Sequence, residues 1–238
     1  LLGRFAQGQR ERLVIASKYT LATVPGDPNN AGNHRKSMRR SVEDSLRRLG
    51  TDYLDVLYLH AWDDTTGVDE VMRGFDDLVR SGKVLYAGIS DTPAWQIARM
   101  QTLADLRGWA PLVALQIEYS LIQRSVEHEL LPMADALGLG VVAWSPLGSG
   151  VLTGKYRSGT PSDSRAASSH LASFVEPYLD ERARGIVESV CRAADGLGWT
   201  PAEVALSWVR DRPGVSSAIV GARTAAQLVL QRGLYVRN

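Results

Sequence analysis

Cysteine is all but missing: Cys191 is the single thiol in 238 residues. One thiol cannot build an internal disulfide framework, and such usage fits a reducing compartment. An excess of either charge is missing too. The formal net charge is +1 at pH 7, which gives no case for a nucleic-acid or membrane-surface partner. No apolar run approaches the ~20 residues of a membrane-spanning helix, and no signal-peptide pattern opens the chain. A soluble, cytoplasmic protein is the expectation. No Gly-x-Gly-x-x-Gly occurs, so a Rossmann-type dinucleotide fold would lack its phosphate-binding turn. Metal-ligand histidine spacing and a pair of strand-end carboxylates are absent as well. That removes support for an unrelated barrel hydrolase or lyase.

What is present is a rhythm. Six short apolar runs are expected as strands: Leu13–Ser17, Tyr53–Leu59, Val84–Ile89, Val113–Ile117, Val141–Trp144 and Ser217–Val220. Each closes on a polar residue or a glycine: Lys18, His60, Ser90 with Asp91, Gln116, Ser145 and Gly221. The runs are too continuously apolar for a half-exposed antiparallel sheet. Between them lie helical patterns over 34–49, 68–81, 94–108, 126–138, 175–197, 201–211 and 224–232. In the first, Met38, Val42, Leu46 and Leu49 share a face, and Gly50 supplies a stop. Thr200 before Pro201 reads as an N-cap. Cys191 falls inside a helix, where packing is its expected role.

Alternation of this kind means βαβ units and a parallel sheet, in one domain over residues 1–238. The long irregular stretch 148–173 reads as a surface loop over the site. In parallel α/β proteins the carboxyl ends of the strands form one edge, where ligands bind. Six strands do not close a barrel of eight. Without a glycine-rich turn, the choice tilts from an open doubly wound sheet to a (β/α)8 TIM barrel lacking its first one or two β/α units.

The strings around these strand ends are Ile15-Ala-Ser-Lys18, residues 40–55 leading to His60, Gly82-Lys-Val, Ala87-Gly-Ile-Ser90, Gln116-Ile-Glu-Tyr-Ser, residues 144–156, and Ile219-Val-Gly-Ala-Arg-Thr224. Together, in this order, they resemble the aldo-keto reductase superfamily, and among its branches the potassium-channel beta subunits. The resemblance implies a (β/α)8 barrel that binds NADP(H) and reduces an aldehyde or ketone by hydride transfer. A Tyr is the proton donor, supported by Lys, Asp and His. A proton donor must reach the developing alkoxide, and a nearby ammonium lowers the pKa of a tyrosine.

By that resemblance Lys18 is the catalytic lysine and His60 the histidine that orients the carbonyl. The matching Tyr and Asp would precede Leu1, so roughly 60–90 further residues are expected upstream, enough for two strand units. Tyr19 should point away from Lys18, and Tyr58 should fill the core. Ser90, Asp91 and Gln116 would hold the nicotinamide carboxamide. Relatives often carry Asn where this chain has Asp91, which can accept but not donate. Trp144 would stack on the nicotinamide. Ser145, Leu147 and Ser149 would line the pyrophosphate, with Lys155 and Arg165 near the phosphates. Gly221, Arg223 and Gln227 would take the adenosine 2′-phosphate and adenine end, where an arginine favours NADP(H). Trp62, Trp95 and Tyr119 would wall the pocket for a small carbonyl substrate. The alternative within the resemblance is an NADPH-binding barrel that acts as a regulatory partner with little turnover.

Overall fold

The computed structural model describes residues 1–222 and 224–229. They form two compact units: residues 1–116 with 132–140, and residues 117–131 with 141 onward. Each is taken by itself.

The first unit opens with a short helix, α1 (Leu2–Ala6), and then alternates strands and helices. The order is β1 (Ala16–Tyr19), α2 (Arg35–Leu49), β2 (Leu54–Leu59), α3 (Val68–Arg80), β3 (Val84–Ser90), α4 (Ala94–Arg107) and the start of β4 (Leu112–Glu118). Neighbouring strands pair in parallel and in chain order, with Lys18 level with Tyr58, Tyr58 with Gly88, and Gly88 with Ala114. One face of these strands and the facing stripes of the helices make the core. Leu57, Leu59, Ile89 and Leu115 are buried, as are Met38, Val42, Met72, Phe75, Ile97 and Met100. Each such side chain contributes about 1.5–3 kcal/mol when taken out of water. The helix α2 ends at Gly50, whose φ of 67° is left-handed, a conformation that glycine adopts without a Cβ penalty.

β1 starts three residues later than its apolar run. The Ile15 N–H donates to Asp55 Oδ2 at 2.7 Å, a carboxylate that Arg10 also holds at 2.8 Å. A side chain thus takes the donor that a ladder would have used, and Lys18 becomes part of the strand instead of following it.

The second unit holds β5 from Val141 (the strand is Gly140–Trp144), α6 (Glu181–Leu197), α7 (Pro201–Arg210) and β6 (Val215–Ala218), which pairs with β5 in parallel. The helix expected over 126–138 is instead a 3₁₀ turn at Ser125–Glu127 and the short helix α5 (Leu130–Ala136), which the division between the units crosses. Near residue 175 the chain makes 3₁₀ turns around Pro177, and α6 begins only where Asp180 accepts from Ala183 N–H. Thr200 and Glu203 close a capping box on α7. The stretch 148–173 is a loop interrupted by short 3₁₀ turns at Gly148–Thr153, Arg165–Ala167 and Ala172–Phe174. Its apolar residues Val151, Leu152, Tyr156 and Ala166 pack against Val187, Val190 and Cys191 of α6. Residues 225–229 are helical.

Candidate active site

Parallel pairing and the two-residue alternation of a strand decide which side chains share a face. Lys18, Tyr58, Gly88 and Ala114 form one row across β1 to β4. One step nearer the carboxyl ends, Ser90 is level with Gln116, and His60 follows β2 directly. The sequence-marked residues of the first unit therefore converge on one face and one edge. Ser90 and Gln116 are buried, His60 is half-buried and Lys18 is exposed. A cleft of about 580 Å³ between β1 and α2 reaches both Lys18 and His60.

The electrostatics follow from this packing. Burial lowers the pKa of Lys18 and the charge of Asp91 partly restores it. The His60 pKa is lowered by burial and by Lys18, against an upward pull from Asp91. A neutral imidazole beside an ammonium can donate a hydrogen bond without adding a second positive charge.

Neither nearby tyrosine resembles a proton donor for this edge. Tyr19 points to the other face, buried edge-on against Phe75 at 6.1 Å between ring centroids. Tyr58 lies on the row of Lys18 but is packed onto Gly88, where an added Cβ would sit 2.5 Å from the ring. Burial raises its pKa, offset in part by a hydrogen bond with the Gln116 side chain.

Asp91 directly follows β3 with φ at +37°, a left-handed conformation that Asp and Asn tolerate better than most residues. Its carbonyl accepts the Trp62 N–H at 3.2 Å, and the Ser90 carbonyl accepts the Thr92 hydroxyl at 2.7 Å. Trp62 is half-buried, and its indole N–H has no hydrogen-bond partner among the described residues. Trp95 is 62% exposed.

Sequence reading missed the knot that holds the loops beside this edge. The buried Asn33 donates its side-chain N–H to Ala61 O at 2.8 Å and to the Thr20 hydroxyl at 3.0 Å. Asp63 accepts from Asn33 N–H at 2.6 Å and from the N–H groups of Thr65 and Thr66. The Asp-Asp-Thr-Thr-Gly run at 63–67 signals a local turn. Nothing local signals a partner thirty residues away.

In the second unit Trp144 ends β5, half-buried, and Ser145 follows at φ +52°. Gly148, Ser149 and Gly150 also have positive φ, so the backbone coils tightly, with Gly148 N–H on Ser145 O and Gly150 N–H on Leu147 O. Lys155 folds over this coil: a Cβ at Gly150 would lie 3.1 Å from its ammonium. A glycine-lined turn with two serines and an ammonium fits a phosphate group. Leu147 packs into the apolar cluster beneath, and Arg165 is exposed at the start of a 3₁₀ turn. Gly221 and Gln227 are exposed, whereas Arg223 lies outside the described residues.

Tyr119 is fully buried against Trp208 at 5.3 Å. Its hydroxyl donates to Glu127 at 2.6 Å and accepts from Arg212 Nε at 3.1 Å, a packed cluster and not an open pocket wall.

A family model described as the aldo/keto reductase family matches residues 1–230. The chain is similar to the uncharacterized oxidoreductase YrpG of Bacillus subtilis, with 39% identity over 94% of this chain and 68% of that protein. It is 33% identical to an aryl-alcohol dehydrogenase [NADP(+)] of Phanerodontia chrysosporium, over 94% of this chain and 60% of the relative. It is 38% identical to a probable voltage-gated potassium channel subunit beta of Arabidopsis thaliana, over 92% and 67%. The chain thus spans about two thirds or less of these relatives. The parallel pairing and strand–helix alternation agree with the α/β class of that family, and six strands lie among the described residues.

Proposed function

The chain belongs to the aldo/keto reductase family, and from that premise we propose that it serves an NADPH-dependent oxidoreductase that reduces an aldehyde or ketone to an alcohol. The observation that carries the reading is the convergence of Lys18, His60, Ser90 and Gln116 on one strand-end face of the first unit. The overall change is carbonyl plus NADPH plus a proton giving alcohol plus NADP⁺. The reduced nicotinamide, when bound, supplies the hydride.

The residues of this chain bind, orient and polarise. Ser90, Asp91 and Gln116 take the carboxamide and so fix which ring face is presented. Trp144 offers a stacking surface, and Ser145, Leu147, Ser149, Lys155 and Arg165 take the phosphates. Gly221, Arg223 and Gln227 take the adenosine end. Neutral His60 donates a hydrogen bond to the carbonyl oxygen, and the Lys18 ammonium would lower the pKa of the tyrosine that the family uses as proton donor. Trp62 and Trp95 face the substrate, a small carbonyl compound.

Likeness to a channel beta subunit supports a second reading, an NADPH-binding barrel acting chiefly as a partner protein. Fluorescence titration with NADPH and NADH, followed by turnover with aromatic and aliphatic aldehydes, tests both. Saturable binding that favours NADPH, with turnover, is the expected result. Binding without turnover would select the partner reading, and no binding of either cofactor would overturn the oxidoreductase reading.

A further inference from the structure

Asp91 adds a charge to an edge where hydrogen bonding alone would not need one. Its place is fixed from both sides. The Asp91 carbonyl accepts from Trp62, and the preceding carbonyl at Ser90 accepts from Thr92. The residue itself sits at φ +37°, so its side chain leaves the strand end in a defined direction. Its neighbour Ser90 is level with Gln116, the other residue assigned to the carboxamide. The Trp62 N–H on its carbonyl sets Asp91 beside the connection that carries His60, and its charge pulls the pKa of both Lys18 and His60 upward.

The two redox states of a nicotinamide differ by one charge: the oxidised ring is a cation and the reduced ring is neutral. A fixed anion beside the ring favours the former, and a fixed cation such as Lys18 favours the latter. We infer that the Asp91 carboxylate makes this site bind the oxidised cofactor preferentially over the reduced one, which lowers the potential of the bound couple and poises it toward giving up its hydride to a carbonyl. In that direction the carbonyl carbon takes a hydride from the nicotinamide and its oxygen takes a proton, giving the alcohol and NADP⁺. The inference rests on the cofactor assignment above and adds the direction in which the couple is biased.

The test is binding, not activity. Dissociation constants for NADP⁺ and NADPH are measured for the wild-type protein and for Asp91→Asn, which keeps the shape and the left-handed backbone preference but removes the charge. The ratio Kd(NADPH)/Kd(NADP⁺) is expected to fall about fivefold in the variant at low ionic strength. That equals ~20 mV in the potential of the bound two-electron couple. The difference should shrink in high salt, because the side chain is exposed. Asp91→Gly, neutral and unstrained at positive φ, gives a second reading should the asparagine variant fold poorly. A ratio that stays constant, or an equal loss for both cofactors, overturns this inference and leaves the cofactor assignment standing. Failure of the wild-type protein to bind either form overturns both.

Discussion

Lys18 and Tyr19 are chain neighbours with opposite fates. The two-residue alternation of β1 sends the lysine to the face shared with Tyr58 and the tyrosine into the core against Phe75. The same alternation makes a substitution at 18 separable from folding, because the ammonium is exposed while the core contacts belong to the other face. Lys18→Met is therefore expected to lower turnover by about 10²–10⁴-fold, the range for removing a group that assists proton transfer. NADPH affinity should stay within a few-fold, since the residues proposed to take the carboxamide and phosphates lie elsewhere. Steady-state kinetics beside a cofactor titration would show it; undiminished turnover would remove Lys18 from the mechanism.

Among elements and their connections, what was legible in the sequence depended on how far each signal had to reach. The ends of β2, β3 and β5 announced themselves because an apolar run and its closing polar residue are adjacent, as in Tyr53–Leu59 followed by His60. By contrast, β1 and β4 run on past Lys18 and Gln116, and β6 (Val215–Ala218) stops short of the expected Val220. The start of α7 was equally local, with Thr200 beside Pro201, although the Glu203 half of its capping box went unread. The start of α6 was a local miss, postponed by Pro177 and the Asp180 cap. The start of β1 failed because a distant side chain intervened: Asp55, 40 residues away, took the Ile15 N–H and delayed the strand. The Asn33–Asp63 knot was invisible for the same reason. It joins the connection after β1 to the connection after β2, and both flank His60. Asp63→Ala should cost about 1–3 kcal/mol, because it leaves the Asn33 N–H and the turn donors without their acceptor. Urea unfolding would measure the loss, and a midpoint equal to wild type would mean that water replaces the carboxylate without penalty.

At the scale of the whole molecule the charged groups set an acid response with two stages. His60 has a folded pKa below its ordinary value, through burial and Lys18. The unfolded chain therefore takes up that proton first. Stability is lost as pH falls below about 6.5, and this loss levels off once the pH passes the folded pKa. Asp63 behaves as a carboxylate with a depressed folded pKa: burial pushes it up, but donors from Asn33, Thr66 and Thr65 outweigh that. Its contribution is full above the ordinary carboxylate pKa and disappears as pH falls through the folded value. Denaturation midpoints recorded from pH 8 down to pH 2 should thus decline first below neutrality and again in strong acid. A His60→Gln variant should lack the first decline, and its persistence there would reject the assignment.

The packing of the 148–173 stretch onto α6 has a practical corollary. Cys191, the only thiol of the chain, is buried beneath Gly154, where an added Cβ would stand 3.0 Å from its sulfur. An alkylating reagent can reach that sulfur only when the covering turns lift away, so the labelling rate counts their excursions. The molecule carries its own stopwatch for the movement of that stretch, and a bound phosphate-bearing molecule that holds Lys155 in place would slow its ticking.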